Sequence, residues 1–126
     1  MKILFRLLLL AAIAGTLVLA LMPSPPPLLG PDTDPTKHAI GMLAVMMLAG
    51  FAFPQTSLLM ILASVAVGSG VLEFVQGTPP FMRDPDPYDW IAGMIGAGAG
   101  FILLLIVRLL IQLSNRIVSK RNTLGS

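Results

Sequence analysis

Residues 56–76 read TSLLMILASVAVGSGVLEFVQ, and the only charged side chain in that stretch, Glu73, comes in its last turn. At about 1.5 Å of rise per residue, a helix of this length crosses the ~30 Å hydrocarbon core of a bilayer. No water is present there to satisfy backbone N–H and C=O groups, so the segment must close its hydrogen bonds internally, as a helix. Glu73 at its end marks where the chain leaves the apolar layer.

Working outward, the same pattern recurs three more times. Pro54-Gln55 separates this run from a shorter one, residues 35–53. Residues 3–22 form a run bounded by Lys2 and Pro23, and residues 87–113 form the last, followed by a basic tail over 114–126. The composition agrees: 56% of the 126 residues are hydrophobic and 11% charged, with a mean hydropathy of +0.88. Soluble domains carry about 25% charged residues. The expected fold is therefore all-α, a single integral membrane domain built as a four-helix bundle. The first run, with Lys2 and Arg6 at its start, also fits a signal peptide. Its length and its lack of an A-x-A exit site favour a retained helix.

Charge sets the orientation. Lys2, Arg6, Arg108, Arg116, Lys120 and Arg121 fall at one end of such a bundle, with no acidic residue among them. Asp32, Asp34, Glu73, Asp84, Asp86 and Asp89 fall at the other, with Lys37 and Arg83. Lysine and arginine favour the cytoplasmic side. Both termini are expected on the cytoplasmic side of the membrane. Arg108, just inside the end of the fourth run, is expected to snorkel to the headgroups.

Asp34-Pro35 and Asp86-Pro87 each place an aspartate at an N-cap position and a proline at the first helical residue. Asp89, three residues past its cap, is placed to complete a capping box. Gly93, Gly96, Ala97 and Gly100 form a small-residue stripe that invites close helix approach. Ala66, Ser69, Gly70 and Glu73 form a matching stripe, so the third and fourth helices are expected to pack stripe to stripe. The glycine-rich faces also offer a route to oligomers. Trp90 and Tyr88 read as interface anchors.

The candidate ligand-binding residues are Lys37, His38, Glu73, Gln76, Arg83 and Asp89, all at the acidic end. Lys37 and Arg83 suit a phosphate, the first as a point charge and the second as a planar fork. Glu73, His38 and Arg83 are the catalytic candidates: a general base from Glu73 or His38, and Arg83 to stabilise developing negative charge. Lys37 is also placed to pair with Glu73 or Asp89. With no cysteine and one histidine, neither a thiolate nor a zinc site is expected, and no cofactor is called for. The short basic tail is explained by topology, and nucleic-acid binding is not expected.

Three segments together resemble the VanZ-like family of small bacterial membrane proteins, named for an accessory protein of glycopeptide-antibiotic resistance. Asp34-Pro35-Thr36-Lys37-His38 is similar to the family's charged entry to the second helix. Glu73-Phe74-Val75-Gln76 is similar to its glutamate-x-x-glutamine helix end. Arg83, Asp89, Gly96 and Gly100 follow its arginine, aspartate and glycine pattern. The chain departs from that pattern at Gly93, where the family often has asparagine, and at Gly41-Met42, where an aromatic is usual. The resemblance implies an envelope protein in contact with membrane lipids or a lipid-linked cell-wall precursor. It supplies no reaction and does not by itself carry a resistance role. A membrane-surface enzyme acting on a lipid-linked substrate and a small proton-coupled transporter are the alternatives.

Overall fold

The computed structural model describes residues 1–22, 34–81, 84 and 86–124. Four helices, α1 (Lys2–Leu21), α2 (Asp34–Ala52), α3 (Leu58–Gln76) and α4 (Pro87–Leu124), form an all-α bundle without strands among the described residues. All four are long and apolar enough to cross a membrane. Their ends differ from the sequence expectation by a residue or two, except that of α4. No glycine or proline interrupts the chain between Gly100 and Gly125. The helix therefore runs on through the basic tail to Leu124.

The central helix is α2, which packs against α1, α3 and most extensively α4. It supplies much of the core: Met42, Val45, Met46, Ala49 and Ala52 are buried, with Ala97 and Leu104 of α4. This placement explains why α2 is the least hydropathic of the four. A helix that faces protein on several sides does not need lipid-compatible side chains all round. α1 is the converse, since only Leu9 and Ala20 are buried along its length.

The glycine stripe of α4 meets chiefly α2. A Cβ on Gly96 would collide with the carbonyl of Ala39, and one on Gly100 would stand 3.0 Å from Met46 Cβ. One on Gly93 would lie 3.0 Å from Met42 Cγ. Gly50 of α2 returns the arrangement by admitting the Leu104 side chain. Stripe-to-stripe packing of α3 on α4 is thus corrected to an approach at Gly93, where an added Cβ would lie 3.8 Å from Ser69 Oγ, with α2 the main partner. The Gly93, Gly96 and Gly100 face is covered within the chain by α2. The α3 stripe receives Trp90 instead: its indole N–H donates to the Ala66 carbonyl (3.4 Å), and Gly70 leaves room beside it.

Two arginines close the basic end. Arg108 Nη1 donates to the Thr56 carbonyl at 3.0 Å and Nη2 to the Gly50 carbonyl at 3.4 Å. Arg6 Nε donates to the Ala52 carbonyl at 3.4 Å, its guanidinium lying 5.1 Å over the Phe53 ring. The last carbonyls of a helix have no intrahelical partner and carry the negative end of its dipole. The sequence reading assigned both arginines to topology; their second role is to cap α2. From that level Pro87 lies some 21 residues away along α4, about 32 Å, one hydrocarbon thickness. Beyond it, every described side chain from Leu109 to Thr123 is exposed.

Candidate functional site

The opposite end gathers the ionisable residues. α2 and α4 both begin there and α3 ends there, so Lys37, His38, Glu73, Gln76, Asp86 and Asp89 share one level of the bundle. Arg83 and Asp32 lie outside the described residues, as does the side chain of Asp34.

Asp86 behaves as an N-cap: its Oδ1 accepts the backbone N–H of Tyr88 at 2.9 Å, and Asp89 N–H reaches the Asp86 carbonyl at 3.0 Å. The capping box is closed differently from expectation. The Asp86 backbone N–H donates to Glu73 Oε1, 2.9 Å away, so the carboxylate that should come from the third residue of α4 comes from the end of α3. Asp89 reaches towards α2: its Oδ2 lies 3.6 Å from His38 Nε2, with the two side chains 16% and 22% exposed. The pair bridges α4 to α2 at the acidic end of the bundle. An aspartate three residues into the helix and a histidine on the first turn of α2 could be found in the sequence; that they face each other depended on which helix α4 chose to pack on.

Gln76 is not part of an open site. It is 4% exposed, and its Nε2 donates to the Ala20 carbonyl at 2.7 Å, tying α3 to the end of α1. Its Nε2 thus serves a helix-end carbonyl inside the protein, a structural contact apart from the open recess. Lys37 is partly exposed on the first turn of α2, next to His38.

Between α3 and α4 an open recess of about 520 Å³ is lined by Gly70, Glu73, Phe74, Gly77, Pro87 and Trp90, among others. Its polar lining is Glu73 and Thr78, and Phe74, Pro87 and Trp90 supply apolar walls. The His38–Asp89 approach sets an imidazole beside a carboxylate at the acidic end of the bundle. Among the described residues no group of three or more metal-ligating side chains comes together. Compared with protein-family models, with curated proteins and with solved structures, the chain matches none.

Proposed function

We propose that the protein binds the polar headgroup of a membrane lipid, or of a lipid-linked cell-wall precursor, at the acidic end of the bundle. The observation that carries this reading is the partly exposed His38–Asp89 pair at 3.6 Å, next to the Glu73-walled recess at headgroup depth. Carboxylates at that depth are costly unless paired or solvated, and here they are held where a lipid headgroup comes within reach. Among the described residues of this end, the acids Glu73, Asp84, Asp86 and Asp89 outnumber Lys37 and His38. A headgroup that carries an amine as well as a phosphate complements that balance, the amine at Glu73 and Trp90, the phosphate at Lys37 and Arg83. The separation of basic from acidic ends supports the bacterial inner membrane, with both termini in the cytoplasm. Assignment to the VanZ-like family is part of the same proposal and rests on the residues quoted for it.

Lipid co-purification measured by mass spectrometry tests the reading, comparing wild type with Glu73→Gln and Arg83→Ala at matched folding. Loss of one lipid class from both variants is the expected result. Identical lipid profiles would overturn it and leave the cluster as a clasp between helices.

A second reading follows from the same pair. His38, oriented by Asp89, is a general base at a membrane surface, suited to activating water against a lipid-linked ester or phosphate. Turnover of such a substrate by wild type, lost in His38→Gln, would distinguish it from binding alone, which forms no product.

A further inference from the structure

α1 and α3 touch little along the bundle, and the Gln76–Ala20 hydrogen bond ties them at the acidic end. Between them, floored by α2, lies a groove of about 490 Å³ whose walls include Leu9, Ile13, Val45, Met60 and Val65. We propose that this groove holds a hydrocarbon chain of the lipid whose headgroup is bound at the acidic end. The inference rests on the headgroup reading above and names where the rest of that molecule lies.

The lining decides the chemistry. Apolar cavities of about 150 Å³ in proteins stay dry and take up hydrocarbon, because a water needs two to four polar partners. This groove is larger and still almost wholly apolar. Ser64, one of its hydroxyls, donates back to the Met60 carbonyl at 2.9 Å and offers that proton to nothing in the groove. Interiors pack to a density of about 0.74, and at this depth the molecules at hand to fill a gap are lipid chains. The dimensions agree. From Met60 to Leu72 the groove follows α3 for about 18 Å, against about 15 Å for half the hydrocarbon core. A lipid chain fits it lengthwise.

Position decides which lipid. Met42 of α2 and Ser69 of α3 are the groove residues that converge on Gly93: a Cβ there would stand 3.0 Å from Met42 Cγ and 3.8 Å from Ser69 Oγ. One turn further out on each of these three helices stand His38, Glu73 and Asp89. Residues four apart share a helix face, so the polar end continues the face that the groove occupies. A lipid with its headgroup at that end has its chain directed along the groove.

Gly68 provides the test. It sits in the middle of the lining face of α3, with Ile61, Ser64, Val65 and Leu72 around it, and a Cβ there would meet nothing within 4 Å. Gly68→Leu fills the groove while improving helix propensity, so it should not unfold the protein. Gly98→Leu, also with nothing within 4 Å and on α4 away from the groove, is the control. The measurement is native mass spectrometry of detergent-solubilised protein with dioleoyl phosphatidylethanolamine. Retention is expected to fall about tenfold in Gly68→Leu, as roughly two methylenes of the chain lose their seat, and to stay at wild type in Gly98→Leu. Equal retention in the two glycine variants would overturn the groove assignment. If Glu73→Gln alone loses the lipid, the headgroup reading stands and the groove fails. If Gly68→Leu alone loses it, the groove stands as a chain site and the headgroup reading fails.

Discussion

Glu73 Oε1 accepts the backbone N–H of Asp86 at 2.9 Å, so the last turn of α3 closes the first turn of α4. A helix N-terminus leaves its first N–H groups without intrahelical partners, and a carboxylate is the favoured acceptor for them. Glu73→Ala should cost about 1 kcal/mol of stability and speed amide exchange at Asp86. Glu73→Gln keeps an acceptor oxygen at the same reach and should retain most of the protection. Hydrogen exchange in detergent micelles reads both; equal protection in wild type and Glu73→Ala would show that the bond contributes nothing.

While Glu73 accepts the Asp86 N–H, Asp89 lies beside His38, and α4 and α2 meet at the acidic end of the bundle. A double-mutant cycle with His38→Ala and Asp89→Ala should give a coupling of about 1 kcal/mol, as for partly exposed charged pairs. Strict additivity would mean that the 3.6 Å approach is incidental.

The bundle and its polarity were legible because they rest on patterns along the chain. Run length sets the number of spans, the basic residues gather at one end, and Asp86-Pro87 announces a helix start that its Oδ1 then caps. The pairing of helices was not legible. Gly93, Gly96 and Gly100 announce a close approach but say nothing of the partner, and α3 and α2 both offered small residues. The low hydropathy of α2 was the available signal: the run that tolerates least lipid belongs in the centre. Gln76 is a related case. A polar residue at the end of a span looks the same whether it faces a ligand or, as here, the carbonyl of Ala20. The Arg108 contacts were hidden too, since its carbonyl acceptors lie more than fifty residues away.

Gly96 and Gly98, about 3 Å apart along the helix axis, should respond oppositely to the same substitution. At Gly96 an added Cβ meets the Ala39 backbone, which cannot rotate away as a side chain would. Gly96→Ala should therefore force α2 and α4 apart and lose about 1 kcal/mol or more even after its gain in helix propensity. At Gly98 the added Cβ meets nothing within 4 Å, so Gly98→Ala should gain up to about 1 kcal/mol. Thermal unfolding of the two variants side by side checks the packing register of α4 on α2. A gain at both positions would place the contact elsewhere.

At the basic end, Arg108 reaches two backbone carbonyls from one guanidinium, Thr56 in the α2–α3 turn and Gly50 in the last turn of α2. Hydrogen bonds from a charged donor contribute about 1.5–3 kcal/mol where they are shielded, and Arg108 is partly buried. Arg108→Ala should cost about 2 kcal/mol, by leaving these carbonyls without their donor. Arg108→Lys keeps the charge but offers no fork, so it should recover less than half of the loss. Arg6→Ala removes one bond of 3.4 Å and a contact with the Phe53 ring, and its cost should be the smaller. If Arg108→Lys matched wild type in thermal unfolding, the residue would be acting through charge at the membrane surface, and the two-carbonyl cap would carry no stability of its own.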